Sequence, residues 1–95
     1  MAILSIQSFV SKGYVGNRAA AFVLERLGIE VWSIPTVLFS NHSGYGKFSG
    51  NSVDSCDIQN LFEGIATIAD LSEIEAVVTG YIYNKDQVKK ISNII

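Results

Sequence analysis

Hydrophobic residues come along this chain in short bursts, and the spacing inside each burst changes from one segment to the next. Ala2 to Gln7 is an aliphatic run with the composition of a strand, after which Gly13 and Gly16 punctuate a turn. Asn17 then reads as the N-cap of a helix on which Ala20, Val23, Leu24 and Leu27 recur at three- and four-residue spacing, with Glu25 and Arg26 turned outward. Gly28 stands where a helix C-cap belongs. Ile29 to Ile34, with Val31 and the single tryptophan Trp32, reads as a second strand. Pro35 reads as its end, because proline has no N–H for a central ladder. Strand, helix and strand in that order predict a βαβ unit with parallel strands.

After Pro35 the pattern changes. Thr36 to Phe39 is β-prone, Asn41 to Gly46 is polar and carries glycine, and Lys47 to Gly50 alternates again, so residues 36–50 read as a projecting hairpin or flap. Asp54 or Ser55 then caps a second helix with Ile58, Leu61, Phe62, Ile65 and Ile68 on one face, closing near Asp70. Ala76 to Thr79 is a third short apolar strand, followed by Gly80 and Tyr81, and Asp86 to Ile95 is helical in propensity. Strands alternating with helices predict an α/β sheet with helices on both faces. With so few strands, one sheet edge is expected to be open and prone to association.

Composition narrows the class without naming a function. A chain of 95 residues with 48% hydrophobic and 17% charged residues is expected to form one compact domain of marginal stability. The net charge of -2 is spread along the sequence, which argues against nucleic acid or an anionic membrane as a partner. No apolar run approaches the roughly 20 residues of a membrane span. The single cysteine, Cys56, has no partner for an internal disulfide and is expected to pack at a helix start; with no secretory leader in view, a cytoplasmic setting is expected. The glycosylation-like tripeptide Asn41-His42-Ser43 carries no meaning in that setting.

In open parallel sheets, ligands bind beyond the carboxyl ends of the strands. Three segments qualify: Ser8 to Asn17, Thr36 to Gly50, and Gly80 to Tyr83. Each sets polar or aromatic groups beside glycine, as a small-molecule pocket does, although the same residues also serve simply as turn formers. Generic phosphate motifs fail: Gly13 and Gly16 lack the spaced triplet of a dinucleotide loop, and Gly46-Lys47 is followed by Phe48 instead of Ser or Thr. One histidine, His42, and one cysteine make neither a zinc cluster nor a Cys-His pair. Asp54, Asp57, Asp70, Glu73 and Glu75 fall at helix starts or in loops, where solvent and the helix dipole account for them.

Four blocks are far more specific. Ile6-Gln7-Ser8-Phe9-Val10-Ser11-Lys12-Gly13-Tyr14-Val15-Gly16-Asn17, continued by Ala19-Ala20 and Arg26-Leu27-Gly28, resembles the opening of the pyridoxal kinases of the ribokinase superfamily. Thr36 to Gly50 is similar to that family's flap, and Gly64-Ile65-Ala66 and Thr79-Gly80-Tyr81 recur in the family's order and spacing. The resemblance covers nearly the whole chain. It implies a truncated ribokinase-like three-layer α/β fold, with parallel strands, flanking helices and the flap hairpin, in which residues 1–95 form the amino-terminal portion of the kinase domain.

The resemblance also implies roles. Ser8 matches the serine that hydrogen-bonds the pyridine ring, Ser43 with Gly44 matches a flap position that contacts the vitamin, and Tyr81 matches an aromatic near the pyridine and phosphate region. Val10 and Phe39 are expected as apolar walls, or equally as core. By pattern alone Ser8 would be a turn residue and Tyr81 a packing residue. Tyr14 stands where bacterial relatives often carry histidine, and Phe48 where they often carry tryptophan, which leaves the shape of the wall and substrate preference open. In the family, ATP with Mg2+ phosphorylates the 5'-hydroxymethyl group of pyridoxal in pyridoxal 5'-phosphate salvage, and the complete enzymes are commonly homodimers. The family's glycine-rich catalytic-aspartate motif, magnesium-binding acidic motif and ATP loops find no match in this chain. No residue here is therefore assigned to catalysis or metal binding, and the chain alone is expected to be inactive. The competing expectations are a non-catalytic fragment that binds a B6 vitamer or another chain, and a remnant of a decayed gene.

Overall fold

The computed structural model describes residues 1–95. Its elements are β1 (Ala2–Val10), α1 (Asn17–Arg26), β2 (Glu30–Phe39), β3 (Gly50–Ser52), α2 (Ser55–Ile68), β4 (Ile74–Thr79) and α3 (Lys85–Ile94), with 3-10 turns at Ser43–Tyr45 and Leu71–Glu73. The four strands form one sheet in the order β3-β2-β1-β4. β1 runs parallel to both β2 and β4, and short β3 pairs antiparallel with β2 through Val37↔Ser52, Leu38↔Asn51 and Phe39↔Gly50. No helix is long and apolar enough to cross a membrane.

Strand alternation explains the layering. Leu4, Ile6 and Ile34 share one face of the sheet, where Ile58 of α2 and Ile91 of α3 complete a buried cluster. Ser5 lies between Leu4 and Ile6 and so faces the opposite side, where its hydroxyl donates to Asn17 Oδ1 of α1 at 2.7 Å. The sheet is thus sandwiched between α1 and the pair α2 and α3. Burying each of the five cluster side chains contributes about 1.5–3 kcal/mol. Only 12 of the 95 residues are buried, so this core has little margin.

Several expectations are corrected. Asn17 is not the N-cap of α1. Gly16 holds that position, at φ 57° and ψ -133°, and caps with no side chain. Asn17 is buried instead: its amide donates to the carbonyls of Ile34 at 3.0 Å and Gln7 at 3.1 Å, stitching α1 to both central strands. Pro35 does not end β2. Gln7 pairs with Pro35 and Phe9 with Leu38, so Ser8 alone lies opposite Thr36 and Val37. The missing proline N–H falls beside this bulge, where the ladder is interrupted anyway, and the strand runs on to Phe39. β1 likewise continues past Gln7 to Val10, which puts Ser8 inside the strand at the bulge.

Some helix faces are less covered than their periodicity implies. α1 packs on β1 and β2, and Val23 and Leu27 are left in solvent, Leu27 at 70% exposure. On α2, Ile58 is buried and Phe62 and Ile65 pack on the core, but Leu61 is exposed and Ile68 is 87% exposed. Asp54, not Ser55, caps α2, accepting the Cys56 N–H at 2.8 Å, and Cys56 itself lies exposed in the first turn instead of packing. β4 pairs with β1 alone and is exposed over Glu75 to Thr79, so the expected open edge is there.

Candidate functional site

The carboxyl ends of β1 and β2 open into a pocket of about 260 Å3. Ser8 and Val10 reach it from β1, Phe39 from β2, Ser43 from the 3-10 turn after β2, and Tyr81 from the turn after β4. Five of the six residues singled out by sequence therefore converge on one cavity. The sixth, Gly44, is not in its lining; its N–H donates to Nδ1 of His42 at 2.9 Å, and His42 does face the pocket. An accepting Nδ1 assigns the imidazole proton to Nε2.

Sequence reasoning missed Gln7, Val15, Gly16, Val37 and His42, which also line the cavity. Gln7 and Gly16 sit inside the family-like opening block, but only the bulge and the turn of the glycine loop bring them to the pocket. A Cβ on Gly16 would lie 2.3 Å from both the carbonyl oxygen and Oγ of Ser8, so only glycine lets the loop close onto that serine. Arg18 holds the same loop from above by donating to the carbonyl of Ser11, and its guanidinium lies 5.3 Å from the centre of the Tyr14 ring. Gln7 donates to Ser5 Oγ at 3.0 Å and packs over Gly80, where a Cβ would approach its amide oxygen to 2.6 Å.

The hairpin over the pocket is held largely by its own bonds. Asn41 donates to the carbonyl of Lys47 at 2.7 Å, the Ser40 N–H donates to the Ser49 carbonyl while the Ser49 N–H donates back to Ser40 Oγ, and the rings of Phe39 and Phe48 meet at 4.7 Å. Phe48 thus braces a pocket wall without lining the pocket itself. Residues 42–50 are all exposed, as a segment free to close over a ligand would be. Hydroxyl, amide, imidazole and phenol groups set between apolar walls form a recognition surface with both donors and acceptors. Ligand pockets run to about 300–1,000 Å3, so this volume suits a single substituted ring better than a nucleotide.

A wider and shallower groove of about 640 Å3 lies at the opposite end of β2, beside Glu30, Trp32 and Asp70. It is remote from the strands' carboxyl ends, where open parallel sheets bind their ligands. Asp70 has its carboxyl held below the ordinary carboxylate range, because it accepts the backbone N–H and the side-chain hydroxyl of Ser72. No three His, Cys, Asp or Glu side chains converge anywhere in the chain.

No family model matches the chain. It is 46% identical over 89 residues to pyridoxal kinase PdxY of Histophilus somni, covering 94% of this chain and 31% of that protein. It is 47% identical over 81 residues to pyridoxal kinase PdxY of Corynebacterium diphtheriae, covering 85% and 29%. Among solved structures, the pyridoxal kinase of Leishmania donovani in complex with ADP and pyridoxamine superposes with a TM-score of 0.90 at 43% identity, over 98% of this chain and 32% of that one. The pyridoxal kinase of Entamoeba histolytica with PLP gives 0.91 at 30% identity, over 97% and 34%. A putative phosphomethylpyrimidine kinase of Bacteroides thetaiotaomicron, only 22% identical, shares the fold at 0.89.

A mainly parallel sheet between helices, with a pocket at the strand ends under a hairpin, gives the chain a ribokinase-like fold. Over nearly its whole length its sequence and fold match the amino-terminal part of pyridoxal kinases. It spans about a third of the length of the relatives it matches.

Proposed function

We propose that this chain forms the vitamin-binding portion of a pyridoxal kinase, the protein that in full moves the terminal phosphoryl group of ATP onto the 5'-hydroxymethyl oxygen of pyridoxal. The observation that carries the reading is the convergence of Ser8, Val10, Phe39, Ser43 and Tyr81, from three separate segments, on one pocket of single-ring size. ADP with pyridoxamine in the Leishmania donovani kinase supports the substrate classes. Ser8 would exchange a hydrogen bond with a ring substituent or ring nitrogen, and Ser43, with Gly44 shaping its turn, would contact the vitamin from the flap. Tyr81 would flank the ring, and Val10 and Phe39 would wall it.

In such a transfer the hydroxymethyl oxygen forms a bond to the γ-phosphorus, the bond to ADP breaks, and the hydroxyl proton passes to a base. Catalysis then rests on positioning plus electrostatic stabilisation. The residues present supply positioning and, through the flap, exclusion of water. They include no cluster of three metal-ligating side chains, and we assign magnesium, the ATP contacts and the base to the part of the family's length that this chain does not span. The whole enzyme is proposed to act as a cytoplasmic homodimer, on the family's pattern.

Titrating the chain with pyridoxal and following the vitamin's absorbance tests the reading. The parent should bind, and Ser8→Ala should weaken binding up to about tenfold, the worth of one hydrogen bond. Absence of binding by the parent would remove the vitamin site. Formation of pyridoxal 5'-phosphate from ATP by the isolated chain, at the rate of a complete relative, would overturn its inactivity.

A further inference from the structure

One buried amide ties together two of the segments that shape the pocket from outside β1, the flap stems and the turn after β4. Gln87, in the first turn of α3, is fully buried, although its neighbours on either side in sequence are exposed. Its Nε2 donates to the carbonyls of Thr36 at 2.9 Å and Val53 at 2.7 Å, and its Oε1 accepts the N–H of Tyr83 at 2.8 Å. Both amide hydrogens and the amide oxygen are therefore used on backbone. Thr36 and Val53 bracket the hairpin, and the Val53 N–H itself donates to the Thr36 carbonyl at 2.8 Å. The hydroxyl of Thr36, also fully buried, donates to the carbonyl of Tyr81 at 2.7 Å.

The geometry points to Gln87 as a positioning residue for the vitamin site: through Thr36, Val53 and Tyr83 it fixes the flap stems and the Tyr81 turn relative to each other. This rests on the proposed vitamin site, yet Gln87 touches none of the pocket, and its role is to hold two walls in register. A side chain whose polar atoms are all committed in a low-dielectric setting has no cheap alternative arrangement. Hence the flap can open only about stems that stay pinned. The network also makes α3 a structural requirement of a pocket to which it contributes no lining.

The test compares four variants of the chain for pyridoxal affinity and for backbone amide exchange. Gln87→Met keeps the volume and removes all three bonds. Thr36→Val removes only the tie to Tyr81, Thr36→Ser keeps that hydroxyl, and Ile58→Val is a core change on α2 that removes none of these bonds. Gln87→Met should weaken pyridoxal binding about tenfold or more and speed exchange both at Tyr83 and within residues 49–53. Thr36→Val should weaken binding severalfold and speed exchange only around residues 81–83, Thr36→Ser should return both to the parent values, and Ile58→Val should change neither. Equal losses in Ile58→Val and Thr36→Val, or undiminished affinity in Thr36→Val and Gln87→Met, would overturn the positioning role. Should Gln87→Met fail to fold, the two Thr36 variants decide. If the parent binds no pyridoxal, the vitamin reading fails, and the exchange pattern still decides whether Gln87 couples the two segments.

Discussion

Replacing Gly16 with alanine should damage the fold and the pocket together, and the size of both effects follows from the geometry. The residue sits at φ 57° and ψ -133°, a region that L side chains rarely occupy, at a cost of about 1–3 kcal/mol. Its new Cβ would start 2.3 Å from Ser8 O and Oγ, whereas ordinary contact begins near 3.4 Å, so the loop and strand must part by about 1 Å. Together these amount to about 3 kcal/mol, or a fall in Tm of roughly 12–24 °C for a domain of this size. The displaced serine should also lose the bond to pyridoxal proposed for it, weakening affinity about tenfold. Gly28→Ala is the comparison. Gly28 has φ 81° with open space around its Cβ position, so that change carries left-handed strain of about 1–2 kcal/mol and no collision. Thermal unfolding by circular dichroism and pyridoxal titration read the two effects. If Gly16→Ala melts no lower than Gly28→Ala and binds pyridoxal like the parent, the close approach of loop to Ser8 is not what shapes the site.

Two further outcomes follow from the periphery. Asp70 has a folded-state pKa below its unfolded value, so its contribution is present above about pH 4 and is lost as pH falls through the lowered value. Asp70→Asn should therefore flatten the acid limb of a stability-against-pH curve, and an unchanged limb would show that the Ser72 contacts contribute nothing. Val78 lies on the open strand β4 and is 38% exposed; Val78→Lys places a charge on that edge. Sedimentation over a concentration series should show the parent associating and Val78→Lys remaining monomeric, whereas identical profiles would clear the edge of that role.

The succession of strands and helices was legible in the chain because it rests on local periodicity. The aliphatic run Ala2 to Gln7, the three- and four-residue spacing around Ile58, Phe62 and Ile65, and the glycines at 13, 16 and 28 each act within one or two turns of backbone. Family-like blocks likewise marked the three segments that meet at the pocket. What those patterns could not contain was how distant segments share buried polar groups. Asn17 reads as a cap by its place before a helix, yet it turns inward because two strand carbonyls and Ser5 are waiting there. Pro35 reads as a strand end, yet a bulge opposite Ser8 absorbs its missing donor.

By itself, then, the sequence determined the α/β order, the family resemblance and the segments that meet at the pocket. Tertiary structure alone decided that Gln7, Gly16 and His42 belong to the pocket, that Val23, Leu27 and Ile68 stay in solvent, and that Gln87 holds the site from behind. The bond from Gln87 to Thr36 spans 51 positions and that from Thr36 to Tyr81 spans 45. Hydrophobic periodicity is a property of neighbours along the chain. Satisfying a buried hydrogen bond depends instead on which backbone groups the completed fold leaves without water, and that is settled only when the layers close.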